Sequence, residues 1–427
     1  MEIKEIYNCF LQSTGVATDN RKINTGNLFI ALKGDNFNGN KFALSALENG
    51  AQFAIIDEPI YKIDDRCILV EDSLTTLQQL ANYHRNQLNI TIIGLTGSNG
   101  KTTTKELINV ILSQKFNTKA TIGNLNNHIG VPLTLLSFDT STEMGIVEMG
   151  ANHQKEIEML CEICQPDFGY ITNFGKAHLE GFGGTEGVIK GKSELYAFLS
   201  SNHKTAFVNT DDAIQNEKTK NIKRITFGLN NTDNFVNITK IKTNPMVKIE
   251  FENTIIQSHL IGLYNANNIN AAITIGKHFG VSNEKIKLGL ENYIPNNNRS
   301  QLVEKNSNNI ILDAYNANPS SMLAALTNFF QLEEKNKVAI LGDMFELGIA
   351  SSEEHQKLIE FCFNQEEISF HFIGKDFFNH KNTNTNMTFY ETFDTFQQAF
   401  TSQKTEKSFL LIKGSRGMSL ERTLDLL

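Results

Sequence analysis

The stretch that most constrains this chain is residues 90–112. An apolar strand at residues 90–95 runs into a glycine-rich turn, and helix-period residues follow over Lys101–Leu112. The turn reads Gly94-Leu95-Thr96-Gly97-Ser98-Asn99-Gly100-Lys101-Thr102-Thr103. A strand, a glycine-rich loop and a helix N-terminus in that order make a phosphate cradle, because backbone N–H groups converge on one point and the helix end adds positive potential. Gly97 and Gly100 let the backbone turn inward, and Ser98, Asn99 and Thr103 complete a loop for ATP. Lys101 would reach the β- and γ-phosphates, and the Thr102 hydroxyl would ligate Mg²⁺. Leu95 stands where the general GxxxxGK[ST] pattern has its first glycine. The loop alone leaves ATPase, kinase and ligase open.

Around this unit the chain alternates strand and helix. Apolar runs at residues 146–148, 169–172, 206–209 and 225–228 are separated by helical periodicity, as at residues 154–164 with Ile157, Leu160 and Cys161 on one face. That alternation predicts a doubly wound, mostly parallel sheet. Residues 236–260 alternate apolar and polar (Val247, Ile249, Phe251), which predicts an antiparallel ribbon packed on that sheet. With 427 residues, one core does not suffice. We expect three α/β domains: a smaller one over residues 1–88, a central one over 89–297, and a Rossmann-like one over 298–427 behind the Asn-rich linker at 295–298. The third opens with a strand at 310–312 and a helix with Pro319 in its first turn, adds strands at 338–341, 371–373 and 409–412, and closes on a helix over 419–427.

Composition excludes several classes. The net charge of -8 argues against a nucleic-acid binder. No apolar stretch reaches the roughly 18 residues of a membrane span, so no membrane insertion is expected. The N-terminus lacks a basic start followed by an apolar core, and the expected location is cytoplasmic. Five cysteines are too sparse for a disulfide framework, and Cys161-x-x-Cys164 has no partner pair at zinc-site spacing. It reads as core thiols on a helix.

The sequence TGSNGKTT resembles the shortened loop of the Mur ligase superfamily. Four further segments carry the resemblance: GNLNNHIGVPLTLL (123–136), EMGANHQKEI (148–157), DAYNANPSSM (313–322) and LGDMFELG (341–348); the ending KGSRGMSLER (413–422) fits as well. YNANP together with LGDMxELG is specific to the branch that adds D-alanyl-D-alanine. The resemblance spans nearly the whole chain. It implies an ATP- and Mg²⁺-dependent ligase that activates a carboxylate as an acyl phosphate. Its partners would be UDP-N-acetylmuramoyl-tripeptide and D-alanyl-D-alanine, in peptidoglycan precursor synthesis, and a monomer is expected.

The resemblance also implies roles for single residues. Thr18, Asp19, Asn20, Arg21, Lys33 and Gly34 match the uridine-diphosphate side. There the family usually has Ser at position 20, and Phe-Asp-Gly-His where this chain has Phe37-Asn38-Gly39-Asn40. Asn20 can still donate and accept hydrogen bonds, and a plain edge strand and turn is the competing reading. Asn126 and Asn127 fall in a substrate-binding segment. Glu148, at a strand end where doubly wound sheets place ligands, suits Mg²⁺, and a buried carboxylate without such a partner would be costly. His178, in NFGKAHLE, matches a second Mg²⁺ ligand. Lys192 matches the lysine that carries a carbamate, with Lys190 as its rival. Asn265 and Asn268 match adenine-side asparagines, and Arg299 and Asp313 would reach ATP from the third domain. Asn316 and Asn318 are candidates for holding the dipeptide, and helix capping is the competing role. Two other functions remain: a folylpolyglutamate synthase-like ligase, against which residues 18–34 argue, and a catalytically silent regulator, against which Lys101, Thr102, Glu148, His178 and Lys192 together argue.

Overall fold

The computed structural model describes residues 1–401 and 406–427, which build three α/β units in chain order. The first has helices α1 (Ile3–Leu11), α2 (Ala43–Glu48) and α3 (Ser73–Gln87). Its strands are β1 (Val16–Ala17), β2 (Leu28–Ile30), a small hairpin of β3 (Lys33–Gly34) and β4 (Phe37–Asn38), then β5 (Phe53–Ile56) and β6 (Cys67–Leu69). A parallel sheet has the order β1-β2-β5-β6. Helix α3 starts where the Asp72 side chain accepts from Thr75 N at 2.7 Å, and it ends against the second unit. There Asn82 donates to the Glu162 and Ile163 carbonyls, and Arg85 pairs with Asp167 at 2.8 Å.

The second unit has strands β7 (Thr91–Thr96), β8 (Thr118–Ala120), β9 (Met144–Glu148), β10 (Phe168–Ile171), β11 (Thr205–Asn209) and β12 (Lys223–Leu229). Three more follow: β13 (Val236–Thr243), β14 (Met246–Phe251) and β15 (Thr254–Ile261). Between and after them lie α4 (Lys101–Leu112), α5 (Gly130–Leu136), α6 (Glu156–Cys164), α7 (Leu179–Phe182) and α8 (Thr185–Lys192). Helices α9 (Glu194–Ser201), α10 (Ala213–Lys218), α11 (Tyr264–His278) and α12 (Asn283–Asn292) complete it. The nine strands form one sheet in the order β15-β14-β13-β12-β11-β10-β7-β9-β8. Strand β7 lies between β9 and β10, buried on both faces through Ile92, Ile93 and Leu95. The chain winds to either side of it, which opens a crevice at its carboxyl end. The expected ribbon does not pack on the sheet. It extends it: β13 pairs parallel with β12, and β14 and β15 continue antiparallel in the same plane. Without β13 the edge of β12 would present unpaired N–H and C=O groups, and Val247, Ile249 and Phe251 find their apolar cover on one face, in the cluster with Ile269 and Ile273 of α11.

The third unit runs β16 (Gln301–Lys305), β17 (Asn308–Asp313), α13 (Pro319–Gln331), β18 (Lys337–Gly342), α14 (Ser351–Cys362) and β19 (Ile368–Ile373). Then come α15 (Lys375–Phe378), β20 (Met387–Tyr390), α16 (Phe393–Thr401) and β21 (Phe409–Lys413). The sheet order is β16-β17-β21-β18-β19-β20, parallel except for β16. Pro319 occupies the first turn of α13, as its missing N–H allows. The closing helix expected over 419–427 is a 3₁₀ segment, Leu420–Leu426, with Arg422 N bonded to Ser419 O at 3.3 Å. Seven residues held by a few apolar contacts do not repay the nucleation of an α-helix. Cys161 and Cys164 are free and buried on α6 against the Met149 sulfur, and burial pushes both thiols up. Among the described residues, no helix is long and apolar enough to cross a membrane.

Candidate active site

The carboxyl ends of β7, β9 and β10 face the third unit across a cleft of about 670 Å³. The loop after β7 is fixed by close packing. Gly97 has φ 144° and a Cβ there would meet Thr172 Oγ1 at 1.9 Å; Gly100 has φ 80° and would meet Asn268 Oδ1 at 2.6 Å. Only glycine fits either place. Residues after β10 brace the loop: Ser98 N donates to Asn173 O at 3.0 Å, and Thr172 Oγ1 and Asn173 Nδ2 donate to Asn99 O at 2.6 and 2.9 Å. Lys101 folds back, its ammonium 2.7 Å from Gly97 O and 3.3 Å from Ser98 O. Desolvation lowers its pKa to about 8; Glu148 opposes that shift and Arg299 adds to it.

Glu148 ends β9 and is buried. One carboxylate oxygen accepts from Asn126 Nδ2 at 2.8 Å, while the other is buried with no hydrogen-bond partner. An orphaned carboxylate oxygen costs free energy unless a cation completes it. Lys192, at the end of α8, is 0% exposed; its Nζ donates to Ala151 O at 3.1 Å and sits 4.8 Å from the Phe182 ring centre. Burial, with Lys101 second, pushes its pKa well below the ordinary lysine value. Lys190 on the same helix faces solvent. His178 precedes α7 with φ 51°, lines the cleft, and bonds through Nδ1 to the Glu346 carboxylate of the third unit. An unpaired buried carboxylate oxygen, a hydroxyl-bearing loop, an imidazole and a desolvated amine form a donor set that fits a hard divalent cation once the amine is converted to an anionic oxygen donor.

Of the residues expected at the site, Ser98, Asn99, Gly100, Lys101, Thr102, Thr103, Asn126, Asn127, Glu148, His178, Asn265, Asn268, Arg299, Asp313 and Asn316 all line this cleft. Asn265 and Asn268 are buried on α11, joined by a 2.8 Å bond, and Thr104 of α4 donates to Asn268 at 3.1 Å. A recess of about 490 Å³ adjoins them, lined by Asp211, Asp212 and Asn267 among others. Gly97 and Lys192 stand behind the wall. Asn318 does too: its side-chain oxygen caps α13 by accepting from Ser321 N at 2.9 Å, and its amide donates to Asn99 Oδ1 at 2.7 Å. That cap is the competing role weighed for it.

Thr18, Asp19, Asn20, Arg21, Lys33 and Gly34 do not line the cleft; they sit on the first unit. The Arg21 side chain is 83% exposed and pairs with Asp19 at 2.9 Å. Lys33 lies 3.2 Å from Asp57, which is buried and takes a 2.8 Å bond from Asn40. Asn40 thus clamps the Asp57 carboxylate, and its own Oδ1 accepts from Asp57 N at 2.9 Å. Sequence reasoning missed Tyr315, whose ring lies 3.8 Å under the Arg299 guanidinium, and Lys413, buried and paired with Asp313 at 2.6 Å. The available signal for Lys413 was a lone lysine ending an apolar strand. It also missed Tyr264, whose hydroxyl meets Ser300 at 2.7 Å and whose burial pushes its pKa up.

Comparison with known proteins gives a consistent result. Residues 12–85 match the model of the Mur ligase family catalytic domain, 95–276 the Mur ligase middle domain, and 298–416 the Mur ligase glutamate ligase domain. The UDP-N-acetylmuramoyl-tripeptide–D-alanyl-D-alanine ligase of Bacillus subtilis is 34% identical over 420 residues, covering 95% of this chain and 91% of that protein. That of Escherichia coli is 34% identical over 354 residues, covering 81% and 78%. Among solved structures, MurF from Acinetobacter baumannii superposes with a TM-score of 0.88 at 31% identity, covering 99% of this chain and 98% of the other. MurF from Thermotoga maritima in complex with ADP gives 0.84 at 27%, covering 98% and 97%.

Proposed function

The chain belongs to the Mur ligase family, and we propose that it is the ATP-dependent ligase joining D-alanyl-D-alanine to UDP-N-acetylmuramoyl-tripeptide in peptidoglycan precursor synthesis. The observation that carries this reading is the single cleft in which the phosphate loop, Glu148 and His178 of the central unit meet Arg299, Asp313 and Asn316 of the third. A ligase that transfers phosphoryl and then acyl groups needs both halves in one place.

The γ-phosphoryl of ATP passes to the terminal carboxylate of the tripeptide, giving ADP and an acyl phosphate. The free amine of D-alanyl-D-alanine attacks its carbonyl carbon, loses a proton, and expels phosphate through a tetrahedral intermediate. Loop amides at residues 98–103 hold the phosphates, and Lys101 swings from its carbonyl contacts to offset their charge. Bound Mg²⁺ would neutralise charge on the transferring group, held by Thr102, Glu148, His178 and a carbamate on Lys192. The desolvated Lys192 amine is the neutral form that adds CO₂, releasing one proton. Asn265 and Asn268 take the adenine side, Arg299 and Asp313 the ribose and phosphate side, and Asn316 the dipeptide. Thr18, Asp19, Asn20, Arg21, Lys33 and Gly34 hold the uridine diphosphate away from the chemistry, with Asn126 and Asn127 along the path to the tripeptide. The substrates assign the reaction to the cytoplasm, with the chain working as a monomer whose third domain closes on ATP.

Phosphate release by the purified protein tests this. It should require ATP, UDP-N-acetylmuramoyl-tripeptide and D-alanyl-D-alanine together. Release with a folate and glutamate instead would point to the folylpolyglutamate synthase-like activity, and none with either pair would point to a silent regulator.

A further inference from the structure

The loop at residues 343–348, between β18 and α14, is anchored more firmly than its surface position requires. Asp343 accepts from Asp376 N and Phe377 N, both at 3.0 Å, and so caps α15. His355 is fully buried and committed at both ring nitrogens: Nδ1 donates to Ser351 O at 2.8 Å and Nε2 accepts from Met344 N at 3.0 Å. Phe345 N donates to Ser415 Oγ at 2.9 Å. Asp343, His355 and Asp376 lie close enough to suggest a metal site, yet His355 has no lone pair left to ligate one. The network instead fixes a loop.

That loop presents Glu346, which has φ 62°, an uncommon backbone state for a glutamate. Glu346 faces His178 of the central unit, itself at φ 51°. The two meet twice: the Glu346 carboxylate bonds His178 Nδ1, and Glu180 N donates to Glu346 O at 3.3 Å. The Glu346 side chain is 55% exposed, too wet for this pair to add much to docking of the units. Docking has better-shielded contacts nearby: Lys176 pairs at 2.6 Å with the nearly buried Glu354, and Lys176 N donates to Ser320 Oγ at 2.8 Å. What the Glu346 bond does is restrict the His178 ring.

We propose that Glu346 is a positioning residue for His178, holding Nδ1 from across the domain boundary so that Nε2 is left to take a divalent cation in the cleft. An imidazole that ligates a cation through one nitrogen is oriented by the partner of the other, and a carboxylate there also makes the ring a stronger donor. Because Glu346 belongs to the third unit, the cation site is complete only when that unit is docked. This explains why residues 343–348 are held by a buried polar network rather than left as an ordinary surface turn. The inference rests on the reading of His178 as a cation ligand, and the test separates the two.

The measurement is Mn²⁺ binding by electron paramagnetic resonance, on the full chain with a non-hydrolysable ATP analogue. His178→Ala should lose one bound Mn²⁺. Glu346→Ala should weaken that Mn²⁺ about 10–100-fold, while Glu346→Gln, which keeps an acceptor, stays within about threefold of wild type. Glu354→Ala, which removes a docking contact but leaves His178 alone, should bind Mn²⁺ normally. If His178→Ala loses the ion and Glu346→Ala does not weaken it, the positioning role is wrong and the ligand reading stands. Unchanged binding in His178→Ala removes both. Equal weakening by Glu354→Ala, or a Glu346→Gln variant as weak as Glu346→Ala, also overturns the proposal, the first in favour of general docking and the second because the hydrogen bond is then not the cause.

Discussion

The cleft and the first unit handle charge in opposite ways. At the cleft and just behind its wall, Glu148 and Lys192 are buried without an ion pair among the described residues, and Lys101 is desolvated. On the first unit, Arg21 stands in solvent against Asp19, and Lys33 is half exposed beside Asp57. Buried, uncompensated groups are costly and persist where they meet developing charge, whereas exposed pairs suit a ligand group that does not react. The contrast teaches that the two regions should fail differently when altered.

The largest effect belongs to the cleft. Lys101→Ala and Glu148→Ala should each lower turnover by at least about 10²-fold, the scale of one lost contact to transition-state charge. Steady-state kinetics on folded variants decides this; near-normal turnover in either removes the cleft from the chemistry. Lys192→Ala should follow with a loss of about 10²-fold, the upper range for a disturbed metal environment, and short carboxylates should restore part of it. Labelled bicarbonate should give a carbamate signal in wild type that the variant lacks. A signal that survives the substitution shows the carbamate to be elsewhere.

A smaller and differently shaped effect is expected on the first unit. Arg21→Ala should raise KM for UDP-N-acetylmuramoyl-tripeptide about tenfold, the worth of one hydrogen bond to a charged group, with kcat and the KM for ATP nearly unchanged. Equal losses for both substrates would collapse the distinction between the regions. The smallest effect concerns the joint between them. His84 on α3 is buried, with Nε2 donating to Phe138 O at 2.9 Å and Nδ1 accepting from Tyr7 OH at 3.2 Å, and burial lowers its pKa. The folded form thus resists a proton that the unfolded chain takes near pH 6.5, so stability is full above that pH and declines as pH falls below it. Thermal unfolding of His84→Gln across pH 7.5 to 5 should show a shallower decline than wild type; an identical slope would show that His84 does not carry it.

Much of the cleft was legible because its parts are local. Residues 90–112 carry strand, turn and helix in one stretch, and the glycines at 97 and 100 announce their backbone geometry. Glu148 was legible as an acid ending an apolar strand. What pattern could not convey was assembly. Tyr315, Lys413 and Glu346 come to the site from three separate strand ends, and only the order of β17, β21 and β18 brings them there. The alternation over 236–260 gave the correct antiparallel pairing but not its plane, since one buried face fits either a packed ribbon or a sheet edge. Strands β16 and β20 were missed: β16 alternates half-buried with exposed residues, and β20 is short and follows an asparagine-rich stretch. Asn318 shows the limit for single residues, since a cap and a contact to the phosphate loop use opposite ends of one amide.

The order of the third sheet has a consequence for how the chain is made. Strand β21 lies between β17 and β18, with Leu410 opposite both Ile310 and Val338, yet it leaves the ribosome after every other strand of that sheet. At about 5–20 residues per second, seconds pass between the synthesis of Leu341 and that of Phe409. During that interval β17 and β18 have a gap between them, each with an unpaired edge and an apolar face. The first unit faces no such delay, and in the second the inserted strand β9, which enters between β7 and β8, follows β8 in the chain far more closely. The nascent third unit is therefore the segment most in need of a chaperone, and a ribosome stalled between residues 342 and 408 should yield a protein with two folded units and a sticky, protease-sensitive tail.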